Sequence, residues 1–205
     1  MDRICVIGTD FQEQAIMSYS LAYILGFNIS QRKPAYLLSK QYKIKNSFDK
    51  AKWQDLLTYA FSSFLERVII EQNYVQYVSN GCSLQDLIFI QSESYKKERD
   101  TTKRKYQSMM INSLFKVACE YSSRQYQCVV LFDSKIEKNQ TQNEGKGDFR
   151  ILESNLREHC KNIVFLENHS LEEALKVLLE ELEIKIEGPI RAYIERAKQQ
   201  LWLNK

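Results

Sequence analysis

The sequence predicts a doubly wound α/β fold, three layers deep around a mostly parallel sheet, with an extra C-terminal helix. Two observations carry this. Short apolar runs recur along the 205 residues, and helical patterns of a dozen residues or more separate them. Strands that alternate with helices specify a parallel sheet covered on both faces, and right-handed crossovers then fix the double winding.

The first strand is Ile4 to Ile7, which runs into Gly8; an amphipathic helix is expected from Gln14 to Leu25. Tyr74 to Val78, Cys128 to Phe132 and Asn162 to Leu166 read as further buried strands, and Ala35 to Leu38 after Pro34 as a fifth candidate. They are continuous β-branched or aromatic runs, as buried parallel strands are. Trp53 to Gln72 carries Leu56, Leu57, Ala60, Phe61, Phe64, Leu65, Val68 and Ile69 at three- and four-residue steps, a helical period. Helices are also expected over Leu84 to Tyr95 with Ser83 as N-cap, Lys105 to Tyr121, Phe149 to Cys160, and Leu171 to Leu182. Ser170 followed by Glu173 is a capping box for the last of these. Residues 1–187 then form one domain. After Gly188-Pro189, the tail 188–205 is a separate amphipathic helix whose stripe is Ile190, Tyr193, Ile194, Leu201 and Trp202.

Composition excludes several functions. No apolar stretch reaches the roughly 18 residues of a membrane helix. The N-terminus does not resemble a secretory signal, so a cytoplasmic location is expected. The net charge of +3 is too small to point to nucleic acid, and the basic cluster Lys96 to Lys105 reads as a solvated connection. The five cysteines are widely spaced without a CxxC pair, which argues against a disulfide framework and a metal site. Cys5 and Cys128 fall in strands and read as small hydrophobes.

Ligands in such sheets bind beyond the carboxyl ends of the strands. The segment after Ile7 is therefore the first candidate site. Counted from Gly8 against the phosphate-loop pattern GxxxxGK(S/T), the second glycine, the lysine and the hydroxyl fall on Glu13, Gln14 and Ala15. Thr9 and Asp10 lie in the same turn. Thr9, Ser18 or Ser20 offers a replacement hydroxyl, Asp10 a metal ligand, and Asp133 the best single carboxylate at a strand end.

Taken together, RICVIGTDFQEQAIMSYSLA, YVQYVSNGCSLQDLIF, CVVLF, NEGKGDFRILESNLRE and NIVFLENHSLEEALKVLLEEL follow an order that resembles the P-loop kinase-type ATPases related to the nicotinamide riboside kinase domain, the AAA-family ATPases of bacteria and phages. The resemblance covers roughly residues 3 to 182 and rests on order and spacing. It implies a P-loop NTPase-like fold, an acidic position at Asn80, and a lid whose basic candidates are Lys146, Arg150 and Arg157. It also marks three departures: Gln14 at the lysine position, Ala15 at the hydroxyl position and Asn80 at the acidic one. Phosphoryl transfer depends on charge neutralisation and a bridging metal, so losing all three argues against ATP binding. The expectation is a non-catalytic protein without cofactor or metal. It would act as a binding or scaffolding component with a protein partner or a second copy. The alternative is a nucleotide- or nucleoside-kinase-like enzyme with a non-standard phosphate loop.

Overall fold

In the computed structural model of the protein, residues 1–31, 53–88, 100–134 and 152–203 are described. The elements run β1 (Arg3–Gly8), α1 (Phe11–Leu25), β2 (Asn28–Ser30), α2 (Trp53–Gln72), β3 (Tyr77–Asn80), α3 (83–88), α4 (Thr101–Gln125), β4 (Cys128–Ser134), α5 (152–159), β5 (Ile163–His169), α6 (Leu171–Glu181) and α7 (Ile190–Leu203). The sheet order is β2-β3-β1-β4-β5, and every pairing is parallel.

Alternate residues of the strands feed two cores. Cys5, Ile7, Tyr77, Val129 and Leu131 face α2, α3, α4 and α5. Ile4, Val6, Val78, Val130 and Leu166 face α1, α6 and α7. The chain leaves β1 toward β2 across one face and later advances from β3 to β4 across the other. The winding therefore reverses around β1, and the carboxyl ends of β1, β3 and β4 border the crevice where such folds hold ligands.

Several boundaries differ from expectation. The helix expected from Gln14 starts at Phe11, because Asp10 is an N-cap whose side chain accepts the N–H groups of Gln12 and Glu13. Gly26, at φ 69°, ends that helix in the left-handed region. A three-residue strand, Asn28–Ser30, follows, too short for a periodicity to reveal. The candidate strand Ala35 to Leu38 lies outside the described residues, as does the second half of the helix expected at Leu84 to Tyr95. Ser83 is the first residue of α3, and its hydroxyl is buried without a hydrogen-bond partner. The capping box of Ser170 and Glu173 is present.

The expected stripe of α2 is split between core and solvent. Tyr59 and Ala60 are buried, whereas Phe61, Leu65 and Ile69 are exposed. The row that faces the sheet instead carries Ser63, Arg67 and Glu71, all buried.

The C-terminal helix α7 docks on its own chain. Ile194 and Ala197 are buried in the core shared with α1 and α6, and Leu201 packs at its edge. Trp202 stays exposed. Replacing Ile194 by Ala is expected to cost about 2–5 kcal/mol, as for other buried large-to-small changes. A urea melt that detects no loss would mean that α7 does not share the cooperative unit.

Candidate functional site

Only Thr9 and Asp10 separate β1 from α1, so the helix is already wound where a phosphate loop would still be open. Gln14 and Ala15 are therefore helical residues one turn in, not loop residues. Phosphate loops work because backbone N–H groups point into an empty cradle. Here five of those groups are engaged within the protein. Gly8 N–H donates to Gln14 Oε1 at 2.9 Å, and Thr9 N–H to the Phe132 carbonyl at 3.2 Å. Gln12 and Glu13 donate to Asp10 Oδ1 at 2.8 Å each, and Gln14 N–H to the Asp10 carbonyl at 2.9 Å. The Asp10 carboxylate thus sits at the helix N-terminus, where an anion would be favoured.

Gln14, 3% exposed, fills the space behind the turn. Its Oε1 also accepts from Gln85 Nε2 at 3.0 Å, and its Nε2 donates to Asn80 Oδ1 at 2.8 Å. Gln85 Nε2 further reaches the Gly8 carbonyl at 3.3 Å. Gly81, at φ +80°, must be glycine both for that conformation and for space. A Cβ there would lie 2.8 Å from Gln85 Oε1 and 2.9 Å from Gln14 Nε2. On the other flank, Thr9 Oγ1 donates to Asp133 Oδ1 at 2.9 Å, tying the turn to the end of β4.

A buried ionic network holds β3 in place beneath this turn. Arg67 Nη1 donates to Ser79 Oγ and to the Gly81 carbonyl, both at 2.7 Å, and lies 3.7 Å from Glu71 Oε1. Glu71, fully buried, accepts five hydroxyls: Ser79 (2.7 Å), Tyr126 (2.9 Å) and Ser30 (3.3 Å) on Oε1, with Tyr121 (2.8 Å) and Tyr77 (3.3 Å) on Oε2. Burial first, and then the Glu71 carboxylate, hold the phenols of Tyr77, Tyr121 and Tyr126 well above the ordinary tyrosine range. The cysteines are free thiols, and burial pushes Cys119 up to about 12 and Cys128 to about 11.

The structure brings Gly8, Thr9, Asp10, Gln14 and Asn80 together and adds Gln85 and Asp133. Ser18 and Ser20 do not join them, since each hydroxyl bonds back to the carbonyl four residues earlier in α1. Arg157 is also elsewhere. Its guanidinium pairs with Glu153 at 2.9 Å and lies 3.7 Å over the Phe165 ring, at the β5 edge of the sheet. Lys146 and Arg150 lie outside the described residues. Among the described residues no group of three or more His, Cys, Asp or Glu gathers as a metal site, and no helix is long and apolar enough to cross a membrane.

No family model and no curated protein matches the sequence. Solved structures do match by fold. A deoxyadenosine kinase from M. mycoides with bound dCTP superposes with a TM-score of 0.61 at 10% identity, over 88% of this chain and 98% of that one. The same enzyme with bound dATP gives 0.60 at 11% identity, over 88% and 99%. The NadR protein in complex with NAD and AMP-PNP gives 0.58 at 11%, over 91% of this chain and 51% of NadR. The chain has a P-loop kinase fold.

Two outcomes follow from these networks. Gln14→Met, which keeps the volume but removes the amide, is expected to lower stability by about 1–3 kcal/mol by leaving Gly8 N–H and Asn80 unpaired; an unchanged urea midpoint would contradict that. The raised tyrosines stabilise the folded chain at every pH below the unfolded-state value of ~10. As pH rises past that point the unfolded chain loses phenolic protons that the native state keeps, so stability falls. Urea midpoints measured against pH should be insensitive to these tyrosines below that point and drop above it, less steeply in Tyr126→Phe.

Proposed function

We propose that this P-loop kinase-fold protein does not hold Mg-nucleotide and acts as a binding or scaffolding component of a protein assembly. One observation carries the reading: the amide of Gln14 occupies the turn and is bonded to Gly8, Asn80 and Gln85. Binding a triphosphate there would require breaking those bonds and placing anionic charge beside Asp10, with glutamine where the phosphate-loop pattern has its lysine. The absence of the lysine, hydroxyl and acidic side chains at residues 14, 15 and 80 supports the same reading.

A second reading is kept on a specific observation. The chain spans almost the whole length of a deoxyadenosine kinase whose structures hold dCTP and dATP. On that reading the chain is a nucleotide- or nucleoside-kinase-like enzyme whose turn opens on binding, with Asp133 and Thr9 at the crevice.

Calorimetric titration with Mg-ATP and with deoxynucleosides, to millimolar concentration, separates the two. No heat of binding and no rise in melting temperature is the expected result. Saturable binding that disappears when Mg²⁺ is removed would overturn the proposal and favour the kinase-like reading.

A further inference from the structure

The outward face of α2 is apolar, and α4 beside it carries an exposed apolar row flanked by Lys105, Lys116, Glu120 and Arg124. Along α2 the exposed side chains among those described are Thr58, Phe61, Leu65, Ile69 and Gln72, with no charge among them. Of its charged residues, Glu66, Arg67 and Glu71 are turned inward and buried, and Asp55 in the first turn is half-buried. A helix with an uncharged outer face belongs in an interface rather than in water. On α4, Tyr106, Met110 and Val117 repeat at four- and seven-residue steps on one outer face, with Met109 beside them. The two helices lie side by side on the same face of the sheet. Phe64 of α2 packs edge-on against Tyr121 of α4 at 5.7 Å, and Tyr121 donates to Glu71 of α2 at 2.8 Å.

We infer that this two-helix face pairs with a second copy of the chain, forming a four-helix interface about a two-fold axis. Area is the first argument. Phe61, Leu65 and Ile69 are 42%, 51% and 60% exposed, and Tyr106, Met110 and Val117 are 63%, 43% and 51% exposed. With Met109, these side chains together present on the order of 700 Å² to solvent, close to the ~800 Å² that a standard interface takes from each partner. Charge is the second argument. The outer row of α2 offers no ion to match a charged partner, and α4 presents both signs beside its apolar row, Lys116 and Arg124 with Glu120, so the two-helix face is complementary to a second copy of itself. Two such helix pairs interdigitate as helices do in bundles, and methionines fill the gaps left between larger side chains. The inference does not depend on whether nucleotide binds.

Sedimentation velocity of the full chain across micromolar concentrations tests it. A dimer is expected, and Leu65→Glu and Met110→Glu should each weaken it at least 100-fold while leaving the circular dichroism spectrum intact. Trp202→Glu, on the opposite face of the sheet, should leave the dimer unchanged. A wild-type chain that stays monomeric throughout that range overturns the inference. So does a dimer that survives both glutamate variants, because the interface then lies elsewhere.

Discussion

The Glu71 carboxylate is the constraint on which the rest of this architecture turns. It has no contact with solvent and is held by hydroxyls from β2, from β3, and from α4 and the residue that ends it. A buried carboxylate is tolerated only when it is paired and its oxygens are hydrogen-bonded, so those elements must converge on one point. Arg67, one turn earlier on α2, balances the charge and donates to the carbonyl of Gly81. That bond fixes the carboxyl end of β3, and with it the backbone from which Asn80 reaches Gln14. Fold and candidate site are therefore coupled through one ionic pair, although Arg67 Nε remains buried without a partner.

The same pair sets the rotation of α2. Because Ser63, Arg67 and Glu71 must face the sheet, the row of Phe61, Leu65 and Ile69 is turned to the outside. Reading the helix by hydrophobic period alone places that row with the core. The period is real, but the apolar arc is wider than the surface the sheet offers, and polar satisfaction decides which part is buried. An outer face of this kind is a consequence of an inner network.

Much of the fold was legible in the sequence because buried parallel strands and long helices leave strong patterns. Four of the five strands, the full length of α2 and the capping box at Ser170 could be read that way, although the strand expected at Tyr74 to Val78 lies at Tyr77–Asn80. Asn28–Ser30 could not, since three residues carry no period. The start of α1 was legible in principle. Asp10 followed by Glu13 is an N-cap pattern, but a count from Gly8 in phosphate-loop steps treats those same residues as loop. Gln85 and the Glu71 network were not visible, because their partners are up to 77 residues away and assemble only when β3 lies beside β1.

Gln14 and Asn80 gain meaning when considered as a pair. In the pattern that the sequence resembles, these positions carry a cation and an anion, and either one alone in a closed turn would be a buried, uncompensated charge. Here both are neutral amides, and Gln14 Nε2 donates to Asn80 Oδ1 at 2.8 Å. Gln85 and Gly8 complete the hydrogen-bonding capacity of Gln14 Oε1, so the space where a phosphate would lie is occupied by a neutral, bonded side chain. A network that is already satisfied gives a ligand no unpaired group to reward its entry, and the desolvation of any incoming anion is left unmet. On the proposed reading, the fold retains its strand order because that order packs two cores around β1. On the same reading the turn has no need to stay open, and it takes the form of an ordinary capped helix.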